Sequence, residues 1–386
     1  MTASSGRRFA SLGGTFGPHR RDAVNVLLFN PATDALDPNL GFAVGWIEAL
    51  AKRASRIEVV TMRRGDAARL PGNVRVHSLG KENGFGEPRR LIEFYRLLLP
   101  ILRHGEIDVC FSHMIPLFVA LAAPLLKARG VPIVMWHAHR AAPPLLRIAH
   151  RAADRVVTTS MSSYGWRKDK LTCIGQGIDA ELFRPGAPDK AGGPPEDARL
   201  LVSVGRLSPI KDQTTLIRAV QLLRRRGLPF RCAFVGESPE RDCAYAEELR
   251  RETARLGMEG AVQWAGGTPH HETPQWMARA FAHVNLCPNG ALDKAALEAM
   301  ACGKPSLVAN DGFCEMLGPW AEDLLFRHGD PHDLAMRIER LSQREDARMQ
   351  AMTSDLRRSV VERHSLEGLA ERLMAILREA AEGRKG

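Results

Sequence analysis

Long apolar runs are missing from this chain. The stretch Leu97-Leu98-Leu99-Pro100-Ile101-Leu102 is broken by charge well short of the about 18 to 20 residues that a membrane-spanning helix requires. The opening MTASSGRRFASLGGTFGPHRRD has no apolar core of signal-peptide length, so residues 1–21 are expected to form a flexible basic tail. CxxC pairs are absent too. The seven cysteines (Cys110, Cys173, Cys232, Cys243, Cys287, Cys302 and Cys314) are odd in number and most lie in apolar runs, which argues for reduced, mostly buried thiols in a cytosolic protein. Aromatics are only 6% of the chain and form no cluster on which bases could stack. No repeat of solenoid length is evident.

What is present fits a globular protein. At 386 residues the chain is long for one core and suits two domains with a cleft between them. It is 45% hydrophobic and 25% charged, with a mean hydropathy of -0.20, enough to bury substantial cores. Lys and Arg number 54 against 44 Asp and Glu, a net charge of +10 and a pI near 9.5. Anionic partners are favoured by that balance, whether nucleic acid, acidic lipid or phosphorylated metabolites, although an Arg- and Ala-rich coding composition gives the same excess.

Ordered sequence begins at Val24 with a buried-strand run to Phe29, followed by helical spacing over 41–51. Further strands are expected at 57–61, 74–77, 108–112, 132–136, 155–159 and 170–174. This alternation predicts an α/β domain with a parallel, doubly wound sheet over 22–183. The Pro- and Gly-rich stretch 184–198 reads as a linker. A second α/β unit, 199–364, restarts with a strand at 200–204, a helix from Asp212 to Arg226, strands at 231–235 and 261–264, and a helix near 245–256. Asp212 is positioned to cap the first of those helices and Gly227 to end it. Residues 365–386 carry an amphipathic helix through Leu366, Leu369, Ala370, Leu373 and Leu377, which must pack on something.

Two segments carry chemistry. In VSVGRLSPIKD a strand runs into Gly205-Arg206 and a short loop ends at Lys211, just before a helix. Ligands bind at such strand ends, where Arg206 can offer a bidentate fork and Lys211 a point charge to a diphosphate, helped by the helix N-terminus. The alternative is a solvated basic loop. In NGALDKAALEAMACGKP, Glu298 lies on a helix made compact by Ala299, Ala301 and Gly303, and its carboxylate can accept both hydroxyl protons of a ribose. It could equally cap or pair on a surface helix.

Together the two segments resemble the retaining glycosyltransferases of the GT-B fold, in particular family 4, and the resemblance covers nearly the whole chain. In that family a Gly-Arg followed by a Lys contacts the donor diphosphate, matching Gly205, Arg206 and Lys211. The Glu of a Glu-Ala-Met-Ala sequence contacts the ribose, matching Glu298. Gly177-Ile178-Asp179 with Phe183 and Pro185 is similar to the family's signature at the domain crossover, and the last helix is similar to one that crosses back onto the N-terminal domain. The implied architecture is two Rossmann-like domains facing a cleft. The implied reaction moves a sugar from a UDP- or GDP-sugar to a glycan or lipid-linked hydroxyl, in cell-surface polysaccharide or glycolipid synthesis, with no metal or other cofactor.

One departure matters. Where the family often has a Glu eight residues before Glu298, this chain has Gly290, and the loop continues Ala291-Leu292-Asp293-Lys294. A Leu-Asp-Lys version is similar to that of a subset of the family, and Asp293 and Lys294 are candidates to replace the missing contacts. At the end of strand 132–136, His137-Ala138-His139 enters the cleft; the family commonly places a His here, and His139 fits the spacing best, with His137 second. A metal pair is the other reading of His-x-His, but no third ligand is clear. His113 is an acceptor-side candidate or a satisfied structural histidine, and Gly41 a donor-side backbone approach or a packing glycine. Segment 88–104 mixes Arg89, Arg90, Arg96 and Arg103 with apolar residues, so it either packs on the core with exposed arginines or rests on an acidic membrane surface. The expected location is cytoplasmic, or peripheral on the inner face of a membrane. A nucleotide-sugar epimerase or phosphorylase on the same fold remains a rival. A basic nucleic-acid binder is the other, disfavoured by dispersed charge.

Overall fold

A computed structural model describes residues 24–37, 40–186, 199–288 and 291–383. The basic tail expected over 1–21, the linker from 187 to 198 and Gly290 lie outside these residues. Strands β1 (Asn25–Thr33), β2 (Arg56–Arg64), β3 (Val74–Ser78), β4 (Val109–His113), β5 (Ile133–Trp136), β6 (Arg155–Thr158) and β7 (Leu171–Cys173) form one sheet. Its order is β3-β2-β1-β4-β5-β6-β7, with every neighbouring pair parallel. Near-continuous burial of β1, β4 and β5 follows from helices covering both faces.

The second sheet contains β8 (Arg199–Val204), β9 (Phe230–Val235), β10 (Val262–Gly266), β11 (Ala282–Asn285) and β12 (Ser306–Val308), in the parallel order β10-β9-β8-β11-β12. The sequence reading has no strand at β11. Two of its four residues are polar, yet His283 and Asn285 are buried, and His283 Nδ1 shares a hydrogen bond of 2.8 Å with Ser306 Oγ on β12. Helix Gln213–Arg225 ends at Gly227, whose φ of 79° suits glycine. Asp212, however, does not cap it. Its backbone is left-handed (φ 41°), and its carboxylate accepts from Thr215 Oγ1 at 2.6 Å, while the Tyr245 hydroxyl takes the Gln213 amide at 3.1 Å. The cysteines are less buried than expected, since Cys173, Cys243 and Cys314 are exposed and Cys110, Cys232 and Cys302 buried. Exposure follows from their places, on an edge strand and at two helix starts.

The last helix, Leu366–Glu382, returns to the first sheet. Leu369, Leu373 and Leu377 join the core that holds Trp46, Ile47 and Leu50 of helix Phe42–Ala51. Glu367 pairs with Lys52 and Arg53 at 2.7 and 2.8 Å. The returning chain runs beside the outgoing crossover: Ile178 N donates to His364 O and Leu366 N to Ile178 O, both at 2.8 Å. Gly177 sits where they meet, and a Cβ there would lie 2.6 Å from Leu369 Cδ2 and 2.8 Å from Trp46 Nε1. Gly177→Ala is therefore expected to destabilise the fold by about 1 to 3 kcal/mol. Gly45→Ala, whose Cβ meets only Leu366 Cδ2 at 3.7 Å on a helix, should be neutral or stabilising. Urea unfolding midpoints of the two variants check this pair.

Candidate active site

The carboxyl ends of β8 and β9 cannot both carry side chains. Gly205 (φ 144°) and Gly236 (φ 149°) turn away from their strands so closely that a Cβ on Gly236 would strike the Gly205 carbonyl. This opens a hollow of about 290 Å³, floored by Gly205 and Gly236 and walled by Arg206, Lys211, Glu237, Asp293, Lys294 and Glu298, with Phe42 entering from the first sheet's side. The Arg206–Asp212 loop is held from below by buried Gln213, which donates to Arg206 O at 3.0 Å and accepts from Tyr245 Oη at 3.0 Å. Arg206 itself is exposed at the rim. The start of helix Gln213–Arg225 does not line the hollow, and its Gln213 amide donates to Tyr245 Oη.

Lys211 and Asp293 form an ion pair across the hollow. Burial pulls the Lys211 ammonium down, but Asp293 and Cys287 more than offset it, and the ammonium sits above the usual lysine value. Burial likewise raises Asp293, and Lys211 with a hydrogen bond from Asn285 outweighs that, holding the carboxyl below its usual range. Asp293 also caps helix Lys294–Ala301 by accepting from Ala295 N at 3.1 Å. The Asp293 carboxylate is thus already engaged by three partners. The loop before it is anchored by Gln176 Nε2 to Leu292 O at 3.0 Å and Asn310 Nδ2 to Ala291 O at 2.9 Å.

Lys294 points the other way, its Nζ 3.4 Å from the ring centre of Phe42 and 5.3 Å from that of Trp46. Burial pushes this ammonium down to about 7, against a pull upward from Glu298. Glu298, 4% exposed on the all-buried stretch Ala295–Ala301, turns one oxygen to His270 Nε2 at 2.8 Å. Ala299 and Ala301 are fully buried beside it, and Gly303 (φ 72°) turns the chain toward β12.

The N-terminal candidates divide. His113 is buried, its Nδ1 3.0 Å from Asn30 Oδ1, and it packs 4.9 Å from Trp46; burial, and then Lys294, hold it near 3, so it is neutral. His137 is buried with both ring nitrogens lacking a hydrogen-bond partner among the described residues, and burial lowers it to about 4. His139 is exposed and accepts from Ala141 N at 3.0 Å. None of the three lines the 290 Å³ hollow. Gly41 does not either. It starts helix Phe42–Ala51 with a Cβ position 2.7 Å from Asp37 O, which is a packing requirement, and it borders a second cavity of about 250 Å³. Phe42 and His270 separate the two cavities.

Two family models match the chain, Glycosyltransferase Family 4 over residues 42–182 and Glycosyl transferases group 1 over 188–357. The chain belongs to the family 4 glycosyltransferases. Among relatives of this glycosyltransferase, D-inositol 3-phosphate glycosyltransferase 1 of Catenulispora acidiphila is 29% identical over 78% of each chain. A GDP-mannose-dependent alpha-(1-6)-phosphatidylinositol monomannoside mannosyltransferase of Mycolicibacterium smegmatis is 31% identical, over 54% of this chain and 60% of that one. Among solved structures, Anabaena HepE in complex with UDP and glucose matches 92% of this chain and 99% of its own with a TM-score of 0.74 at 21% identity. Sucrose-phosphate synthase of Thermosynechococcus elongatus matches 93% and 100%, with a TM-score of 0.77 at 18% identity. These likenesses show the GT-B fold.

Sequence reading of this glycosyltransferase misses His270, Phe42 and Gln213. His270 and Gln213 sit just beyond the end of β10 and at the start of the helix after β8, so proximity to strand ends was the available signal.

Because Lys294 is held near 7 when folded and near 10.5 when unfolded, the unfolded chain binds more protons between those values. The penalty of its burial is full below about 7 and fades as pH rises, so this residue makes stability climb with pH across that window. Lys294→Met is expected to remove that part of the climb. Urea melts of both proteins at pH 7 and pH 9 measure it, and parallel changes in the two would contradict it.

Proposed function

We propose that this glycosyltransferase takes its sugar from a nucleoside diphosphate donor, a UDP- or GDP-sugar, and passes it with retention to a hydroxyl of a glycan or lipid-linked acceptor. The observation that carries the donor half is the convergence of Arg206, Lys211 and Lys294 with Glu298 on one hollow. A ribose on Glu298 leaves the diphosphate over the glycine floor, where Gly205 and Gly236 let backbone come close. The HepE structure holds UDP and glucose, and the mycobacterial relative is named for GDP-mannose; both support this class of donor.

During transfer the acceptor oxygen bonds to the anomeric carbon while that carbon's bond to the diphosphate oxygen breaks on the same face. The acceptor proton passes to the departing phosphate. Charge growing on the diphosphate is met by Arg206 and Lys211 and, once the anion raises its proton affinity, by Lys294. These cations supply the neutralisation, so the reading requires no metal or other cofactor. Asp293 and Lys294 both line the hollow, and in this reading Asp293 acts through Lys211 while Lys294 meets the donor directly. Sugar contacts by His137 or His139 belong to a closed state in which the two sheets approach.

The acceptor is proposed to be reached from a membrane surface on the cytoplasmic side, in cell-surface polysaccharide or glycolipid synthesis. No described helix is long and apolar enough to cross a membrane. Helix Glu87–His104, however, buries Phe94, Leu98 and Leu102 and leaves Ile92 67% and Leu91 44% exposed beside Arg89, Arg96 and Arg103.

Calorimetry with UDP, GDP and ADP should find one nucleotide that binds, with Arg206→Ala and Lys211→Ala each weakening it about tenfold or more. Binding by none of them would remove the donor reading. Vesicles containing anionic lipid should retain the protein at moderate salt more than neutral vesicles do, and Arg89→Glu/Arg96→Glu should abolish the difference. Equal retention on both would remove the membrane reading.

A further inference from the structure

His270 stands at a junction that the reaction as described leaves unused. It opens the short turn His270–Glu272 after β10, where its carbonyl accepts from Thr273 Oγ1 at 2.8 Å. Its ring is held on two further sides, 5.2 Å from the ring of Phe183 at the crossover and 6.4 Å from that of Phe42. Its Nε2 lies 2.8 Å from Glu298 Oε1, with the His270 side chain 22% and the Glu298 side chain 6% exposed.

Chemistry fixes the direction of that bond. An ionised carboxylate only accepts, so Nε2 carries the proton and donates. A ring wedged between two aromatic groups keeps Nε2 aimed at one oxygen of Glu298. Rotation of the carboxylate is thereby restricted on a residue that lines the hollow. A ribose offers two neighbouring hydroxyl donors, and a carboxylate whose rotation is already restricted can receive both with less loss of rotamer freedom.

We propose that His270 is a positioning residue for the donor nucleotide: by orienting Glu298, it sets the discrimination between ribose and 2′-deoxyribose. The proposal rests on the reading of Glu298 as the ribose acceptor. A purely structural His270 would change affinity for both kinds of nucleotide alike, whereas an orienting one changes their ratio.

The test is calorimetric affinity for the nucleoside diphosphate that binds best and for its 2′-deoxy analogue, in the full chain and in His270→Ala, His270→Gln, His270→Asn and Glu298→Gln, with thermal melts as a check on folding. The wild type should prefer the ribonucleotide by about tenfold or more. His270→Ala should lose most of that preference by weakening the ribonucleotide alone. His270→Gln, whose amide nitrogen reaches the position of Nε2, should restore it, and the shorter His270→Asn should not. If His270→Ala does not fold, the Gln and Asn pair carries the same comparison. A preference retained in His270→Ala, or equal weakening of both nucleotides, would overturn the proposal while leaving the Glu298 reading intact. A preference unchanged in Glu298→Gln would overturn both.

Discussion

The ion pair between Lys211 and Asp293 is the interaction on which the site depends. Lys211 closes the loop after β8, and Asp293 caps the helix that carries Glu298, so one contact ties the Arg206–Asp212 loop to the helix of Glu298. Taking both groups out of water is costly, and Asp293 repays it by serving Ala295 N and Asn285 as well. Asp293 thus joins the two walls of the hollow and caps a helix with one carboxylate. Its neighbour Lys294 faces Phe42 and the cleft.

The second constraint is the double crossing between the sheets. Outgoing residues 174–179 and returning residues 363–366 are hydrogen-bonded side by side, and Arg372 Nε adds a bond to Ile174 O at 3.0 Å. The last helix then completes the core beneath Trp46, whose indole nitrogen lies 3.4 Å from Gly177 O. Trp46 and Phe42 share one helix, so the brace that joins the sheets also positions the aromatic wall met by Lys294. Movement of the sheets relative to each other would alter Lys294's surroundings and hence its charge.

Much of this was legible in the sequence, for definite reasons. Parallel strands buried on both faces are short apolar runs, so β1, β4, β5, β8 and β9 stood out, and the two motifs that contain Gly205, Arg206, Lys211 and Glu298 do meet on one hollow. β11 was hidden because two of its four residues are polar, and His283 is buried there through its bond to Ser306 on the neighbouring strand. Asp212 misled because capping requires extended backbone and it adopts a left-handed turn. Gly41 meets a packing requirement and lies beside the second cavity rather than the 290 Å³ hollow. His270 was illegible as a partner of Glu298 because 28 residues and two strand ends separate them, and only the fold of β10 beside β9 brings the turn to the hollow.

A crystal structure of this chain soaked with the nucleoside diphosphate it binds best tests the central claim most directly. The account predicts ribose hydroxyls on the Glu298 carboxylate and a diphosphate over Gly205 and Gly236 within reach of Arg206 and Lys211. Nucleotide bound elsewhere, or seated in the hollow with its ribose away from Glu298, would contradict it.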